Sequence, residues 1–406
     1  MREAKMSATK QRIYAPASRD LMAVAEGMLP AIRDAADSID EARQLPDWLA
    51  SRLHAQGFFH LLTGREYGGL GADPVTAAGV IETVSTASPS VGWVTMILAS
   101  SSFWTVRMVP DAVRREIFAE VEPGQIQPTI LAGTLVPHGR AVCVDGGWRL
   151  SGQWPFGSGC HHATWLPTAA WLYDGNGPIK DENGAPQWRV FHVPASECVI
   201  LDTWYTSGLR GTGSTDYAME DVFVADRYVK RHSLLESSQL PDRRYDYPAF
   251  NVPVLSAVAL GAARGAVDSL TDLFGGKVDR RNQRPVAGAY DKQADLGIAT
   301  ATVDSARAYL YDTTARAWDL VMAGRELPRD LRAGMRLACT HAVTASVQAV
   351  DRAHSAAGAS SIYSASPLDR YFRDVHGVAA HAFVRQTTMA DGGQLLLGQE
   401  PAFRVF

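Results

Sequence analysis

Cysteine is scarce here: Cys143, Cys160, Cys198 and Cys339 are scattered through 406 residues without a CxxC pair. That spacing offers neither a disulfide framework nor a thiolate metal site, so reduced, structural thiols in a cytoplasmic setting are expected. An excess of one charge is missing too. Net charge is −4 with both signs mixed along the chain, which leaves no basic stripe for nucleic acid. No run reads as long and apolar enough to span a bilayer, and the opening MREAKMSATKQR has no signal-peptide apolar region. HExxH, HxH and carboxylate clusters are absent, as are internal repeats and low-complexity linkers. EYGGLGAD (66–73) lies between helical stretches rather than after a strand, so it is no dinucleotide fingerprint; GLRGTGSTD (208–216) lacks P-loop spacing.

What is present is apolar mass: 46% hydrophobic and 20% charged residues support a large core and more than one domain. Composition divides the chain into 1–125, 126–235 and 236–406. The first part is helical. LMAVAEGMLPAIRDAAD, LPDWLASRLHAQGFF and TAAGVIETVSTAS carry apolar residues at three- and four-residue steps, with Asp47 and Asp73 as helix-start residues. The middle is read as an antiparallel β domain, with a hairpin signal at Asp-Gly-Gly in AVCVDGGWRLSGQW and short β-rich runs in WRVFHVP and YAMEDVFV. The last part holds long Ala- and Leu-rich helices with broad apolar faces, as in a bundle.

The stretch GQWPFGSGCHHATW (152–165) concentrates chemistry. Adjacent residues on a strand point to opposite faces, so His161 and His162 read as structural or pocket-lining rather than as a metal pair. Small hydroxyls and glycines in GLRGTGSTD suit a polar loop that approaches a ligand closely.

Four stretches in order carry a resemblance: EYGGLGAD, WPFGSG (154–159), LRGTGSTDYAMEDVFV (209–224) and RYFRDVHG (370–377). Together they resemble the acyl-CoA dehydrogenase fold over nearly the whole chain. The resemblance implies an α+β architecture: an N-terminal helical domain, a central antiparallel β-barrel-like domain and a C-terminal four-helix bundle, assembled as a homotetramer. A flavin ring would lie between the β domain and the bundle.

Two chemistries compete within that resemblance. Acyl-CoA dehydrogenases place a base carboxylate shortly after the Arg-Asp of the last helices, whereas RDVHGVAAHAFV (373–384) contains no Glu. His381 stands there instead, with His376 before it. This, with VGWV (91–94), LVPHGRAVCVDGGWRLSGQWPFGSG (135–159) and SPLDRYFRDVH (366–376), resembles the two-component flavin-dependent monooxygenases of the 4-hydroxyphenylacetate, steroid-phenol and dibenzothiophene type. The resemblance implies reduced FMN or FAD delivered by a separate reductase. With O2 it would form a C4a-hydroperoxide that oxygenates a small aromatic or heteroaromatic substrate. A dehydrogenase with a relocated carboxylate, an N-oxygenase of an amine or amino sugar, and an inactive relative are the alternatives.

The resemblance also implies roles. Ser158 would contact the flavin, Trp154 and Phe156 would wall its ring, and Arg210, Thr212 and Ser214 would meet flavin or phosphate, for which the planar Arg fork is suited. Arg280, with Arg281, would lie near the nucleotide tail. His381 would be a general base, since imidazole titrates near neutral pH. Substrate would meet Trp93, His376, Ser101, Gly133 and Thr134. The last three stand where the phenol hydroxylases carry a substrate-binding His and Ser, so the phenol-binding pair is not carried over.

Overall fold

The computed structural model describes residues 18–122, 124–230, 240–279 and 283–401; Arg280 and Arg281 lie outside the described residues. Among the described residues five helices come first: α1 Ser18–Ala42, α2 Asp47–Ala55, α3 Pro74–Ser85, α4 Pro89–Met108 and α5 Asp111–Ile117. Along α1, Met22, Ala25, Met28, Ile32, Ala35 and Ile39 are buried at helical steps, so one stripe faces the core. Asp73 caps α3, accepting from the amides of Val75 and Thr76 at 2.9 Å each, a contact that contributes about 1 kcal/mol. Asp47 differs: it is the first residue of α2 after Pro46 and makes no cap.

Eight strands follow: β1 Gly139–Val144, β2 Gly147–Trp154, β3 Trp165–Asp174, β4 Gly177–Pro178, β5 Trp188–Pro194, β6 Val199–Ile200, β7 Tyr217–Ala225 and β8 Val229–Lys230. They form one sheet in the order β6-β7-β2-β1-β3-β5-β8, with β4 beside β3. The expectation of a wholly antiparallel domain is corrected by β1 and β3, which pair in parallel. The chain leaves β2 through 155–164, where Phe156 (φ 63°) and Gly159 (φ 72°) bend it. It re-enters on the far side of β1 in the same direction. Among the described residues the sheet is an open path with β6 and β8 at its edges, not a closed barrel. His161 and His162 sit in a single 3₁₀ turn, Cys160–His162, rather than on a strand. His162 pairs with Asp47 at 3.6 Å.

The C-terminal part consists of α6 Asn251–Gly276, α7 Tyr290–Met322, α8 Arg329–Ala357, α9 Pro367–Ala379 and α10 Met389–Leu396. Helix α6 is buried on almost every side. By length and composition the stretch Pro248–Gly276 would cross a membrane, contrary to the sequence expectation, yet 94% of its most apolar window is buried inside the protein. It is the core helix, packed against α3, α4, α7, α8 and α9. Close approach requires glycine: a Cβ at Gly261 would stand 2.3 Å from the Glu82 carbonyl oxygen. One buried carboxylate ties the two helical parts together, because Glu82 of α3 accepts from Arg307 (2.8 Å) and from the Tyr311 hydroxyl, both on α7.

Candidate active site

A cavity of about 1740 Å³ opens between α4, the ends of the sheet and the segment that runs from α9 to α10. Helix α4 contributes Trp93, Met96, Ile97, Ser101, Trp104 and Met108 to one wall. The opposite walls come from 133–137, Phe156 and Ser158, 186–190, 206–209, Ser214 and 380–383.

Three hydroxyls line up at one end. The Trp93 indole Nε1 donates to Ser158 Oγ (3.0 Å), Ser158 meets Ser214 Oγ (2.5 Å), and Ser214 meets Thr212 Oγ1 (2.6 Å). Thr212 Oγ1 donates to the Leu209 carbonyl (2.8 Å). Both termini fix the direction of this chain, because an indole N–H only donates and a carbonyl only accepts. The protons therefore run Trp93 → Ser158 → Ser214 → Thr212 → Leu209. Ser158 has spent its proton on Ser214 and one lone pair on Trp93, so what it retains is an acceptor.

Leu209 anchors the inner end. Its backbone is left-handed (φ 51°), unusual for a leucine. It is held there by its N–H donated to Asp374 Oδ1 (2.6 Å) and by its carbonyl accepting from Trp204 Nε1 (3.0 Å). Burial pushes the Asp374 carboxyl up to about 7, against the lowering by the Leu209 amide and Arg373. The Arg-Asp motif thus positions the 207–210 loop, not the reaction.

His381 lies edge-on to Trp93, with ring centroids 5.5 Å apart. Its Nδ1 accepts the Phe383 amide at 3.3 Å, which leaves the proton of the neutral ring on Nε2. Burial pushes its pKa down to about 4. The expected general base is therefore arranged as a neutral N–H donor: the nitrogen that would take a proton is already engaged. Arg336 holds this segment, donating to the Phe383 carbonyl (2.7 Å) and pairing with Asp391 (3.1 Å).

The other expected residues separate into wall and interior. Phe156, Ser158, Ser214, Ser101, Gly133, Thr134, Trp93 and His376 line the cavity. At Gly133 a Cβ would stand 2.0 Å from the Pro167 carbonyl oxygen, so only glycine lets the wall lie against β3. His376 sits at the rim, its Nδ1–H donated to the Phe372 carbonyl (2.7 Å). Trp154 does not reach the cavity: it is fully buried, stacks on Tyr217 and donates to the Ala169 carbonyl (2.6 Å). Strand alternation turns the end of β2 inward, and only the bend at Phe156 brings the chain to the wall. Arg210 is also displaced, donating to the Asp40 carbonyl (3.2 Å) and pairing with the Asp40 carboxylate (3.6 Å) on α1. Thr212 is buried behind Ser214. Sequence reasoning missed Trp204, in the irregular stretch between β6 and β7, and Trp188 and Arg189, which open the β-rich run WRVFHVP; none of them carries a motif signal. Among the described residues, no cluster of three His, Cys, Asp or Glu is placed to hold a metal ion.

Comparison with known proteins places this geometry. Residues 22–120 match the family model for the acyl-CoA dehydrogenase N-terminal domain, and residues 253–386 that for the acyl-CoA dehydrogenase C-terminal domain. The chain is 32% identical to indole-3-acetate monooxygenase of Pseudomonas putida, over 93% of this chain and 94% of that protein. It is 31% identical to the flavin-dependent monooxygenase oxygenase subunit HsaA of Mycobacterium tuberculosis, over 90% and 92% of the two chains. The solved structure of XiaF from a Streptomyces species, in complex with FADH2 and glycerol, superposes with a TM-score of 0.84 at 25% identity, covering 95% of this chain and 96% of that one. The chain belongs to the flavin-dependent monooxygenases built on the acyl-CoA dehydrogenase fold.

Proposed function

We propose that this chain is the oxygenase component of a two-component monooxygenase. It takes reduced FMN or FAD from a separate reductase and inserts one atom of O2 into a small aromatic or heteroaromatic substrate. The observation that carries the reading is the directed hydroxyl chain. A reduced flavin ring bears an N–H where the oxidised ring has a bare nitrogen, and Ser158 has only an acceptor to offer it. The residues present fit that group: an apolar, aromatic-walled cavity with Ser158 accepting, His381 donating through Nε2–H and Phe156 standing edge-on to Trp204 (6.2 Å) at the open side.

When bound, the reduced flavin supplies the two electrons that let one oxygen atom enter the substrate and the other leave as water. The protein's part is positional. Trp93 locks Ser158, and Leu209, itself held by Asp374, locks Thr212; apolar walls exclude water. His381 holds an N–H against oxygen-bearing groups without changing its own charge. Dehydrogenation is disfavoured by the carboxylates on the described wall. Asp391 is paired with Arg336, and Asp181 accepts the amides of Asn183 and Ala185 (2.9 Å each), so neither is a base awaiting an α-proton.

The same reading includes a cytoplasmic homotetramer, a C-terminal four-helix bundle formed by α6 to α9, and domains at 1–125, 126–235 and 236–406. Its test is anaerobic titration with photoreduced and oxidised FMN and FAD, then turnover with a flavin reductase under 18O2. Tighter binding of the reduced form and 18O in an aromatic product are expected. Tight oxidised FAD that an acyl-CoA bleaches would overturn the proposal.

A further inference from the structure

The oxygenase reading leaves one cation on the cavity wall unused. Arg189, the second residue of β5, lines the cavity and is half-buried. Its Nη1 donates to the Trp188 carbonyl (2.8 Å) and its Nη2 to Gln187 Oε1 (3.0 Å). Both acceptors are neutral, and among the described residues no carboxylate pairs with it. Burial lowers its pKa with no acidic group acting in opposition. The other arginines of the wall are compensated or solvated: Arg336 pairs with Asp391, Arg373 pairs with Asp369 (2.8 Å) and Asp40 (3.3 Å), and Arg385 is exposed.

A guanidinium withdrawn from water without a counter-charge is costly, and an arriving anion would relieve that cost. Its backbone is rigid, since Arg189 is paired with Ala170 of β3 inside the sheet. Its strand neighbours Trp188 and Val190 belong to one small apolar cluster with Met108, Trp104 and Leu135. The cavity is also long. From Trp93, beside Ser158, to Trp104, within that cluster, α4 rises roughly 16 Å at about 1.5 Å per residue.

We propose that Arg189 binds a carboxylate on the substrate, so that this chain oxygenates an aryl or heteroaryl acid rather than a neutral arene. The planar fork pairs with the carboxylate, while Trp104 and Met108 of the cavity wall cover the hydrocarbon between it and the reacting ring. This rests on the monooxygenase reading for the reaction, but the binding site stands on Arg189 itself.

The test is calorimetric binding of two matched pairs, indole-3-acetate with indole-3-acetamide and 4-hydroxyphenylacetate with its amide, with no flavin reduction or turnover. At least one acid should bind about tenfold or more tightly than its amide. Arg189→Gln should erase that preference, Arg189→Lys should keep part of it, and FMN affinity should not change. Circular dichroism and melting temperature confirm that the variants fold, and the wild-type acid-to-amide ratio needs no variant. Equal binding of acid and amide, or binding of none of the four, would overturn the proposal. Weakened FMN with an unchanged acid preference would also overturn it, assigning the anion to the flavin phosphate. An acid preference that depends on Arg189, in a protein that oxygenates nothing, would sink the parent reading and leave this site standing.

Discussion

The two ends of the cavity are built on opposite principles. Around Ser158 the wall is polar, uncharged and directional: from an indole through three hydroxyls to a carbonyl each group donates its hydrogen bond the same way, and a histidine is held neutral beside them. Around Met108 and Trp188 the wall is apolar and shaped by packing, with the cation of Arg189 on the neighbouring part of the wall. Hydrogen bonds of fixed sense recognise a particular redox or protonation state, whereas apolar packing recognises size and flatness. A site needing both a particular cofactor state and a ring-shaped substrate gains by keeping the two devices apart.

That contrast can be broken from either end. Met108→Ala should cost the most stability, about 2 kcal/mol or more, since Met108 is buried in the apolar cluster. Urea denaturation would show it, and the affinity for reduced flavin should hold. Ser158→Ala should do the reverse. Stability falls by roughly 1–3 kcal/mol as Trp93 Nε1 and Ser214 lose their partner, and the preference for reduced over oxidised flavin drops about tenfold or more. An unchanged redox preference in anaerobic titrations would remove Ser158 from the cofactor site.

His381→Ala should lower product formation by roughly tenfold while reduced-flavin binding stays near wild type. In the wild type, with His381 at about 4, the profile of kcat between pH 5.5 and 8 should show no step from this residue. A step that His381→Ala abolishes would restore the general-base role.

A pH-dependent effect belongs to Asp374, behind both ends. Its pKa is raised to about 7 in the folded protein, above the ordinary carboxylate value of roughly 4 in the unfolded chain. Between those values the folded state binds more protons than the unfolded one. Its contribution to stability is therefore present below the lower value and is lost as pH rises towards 7. Asp374→Asn should flatten that portion of the stability profile, measured as denaturation midpoints at pH 5 and 7.5.

Much of the architecture is written locally. Helical steps in 18–42 and 74–85, the Asp73 cap and the Asp-Gly turn between β1 and β2 depend on neighbours three or four residues apart, so periodicity and turn chemistry reveal them. The motifs WPFGSG and GLRGTGSTD likewise announce a polar loop pair, and Ser158 and Ser214 do meet on the wall. Within those same motifs, however, Trp154 and Arg210 turn away from the cavity. One packs on Tyr217 and the other reaches Asp40. Strand direction and a distant helix decide those outcomes, and neither is visible in spacing. Arg189 left no trace because it sits in an ordinary β-rich run, and its significance is the carboxylate that does not face it.

The sequence by itself determined the order of helical and β segments, the family resemblance and the absence of a Glu where a dehydrogenase carries its base. These are properties of residue type and of short-range steps along the chain. Tertiary structure alone decided that β1 and β3 run parallel, that His381 carries its proton on Nε2, and that Ser158 is left as an acceptor. Each depends on a partner far away in the chain or on a backbone bend: Ser158 on Trp93 and Ser214, His381 on an amide presented by a turn. Hydrogen-bond direction is a property of a closed set of neighbours, and only folding assembles that set.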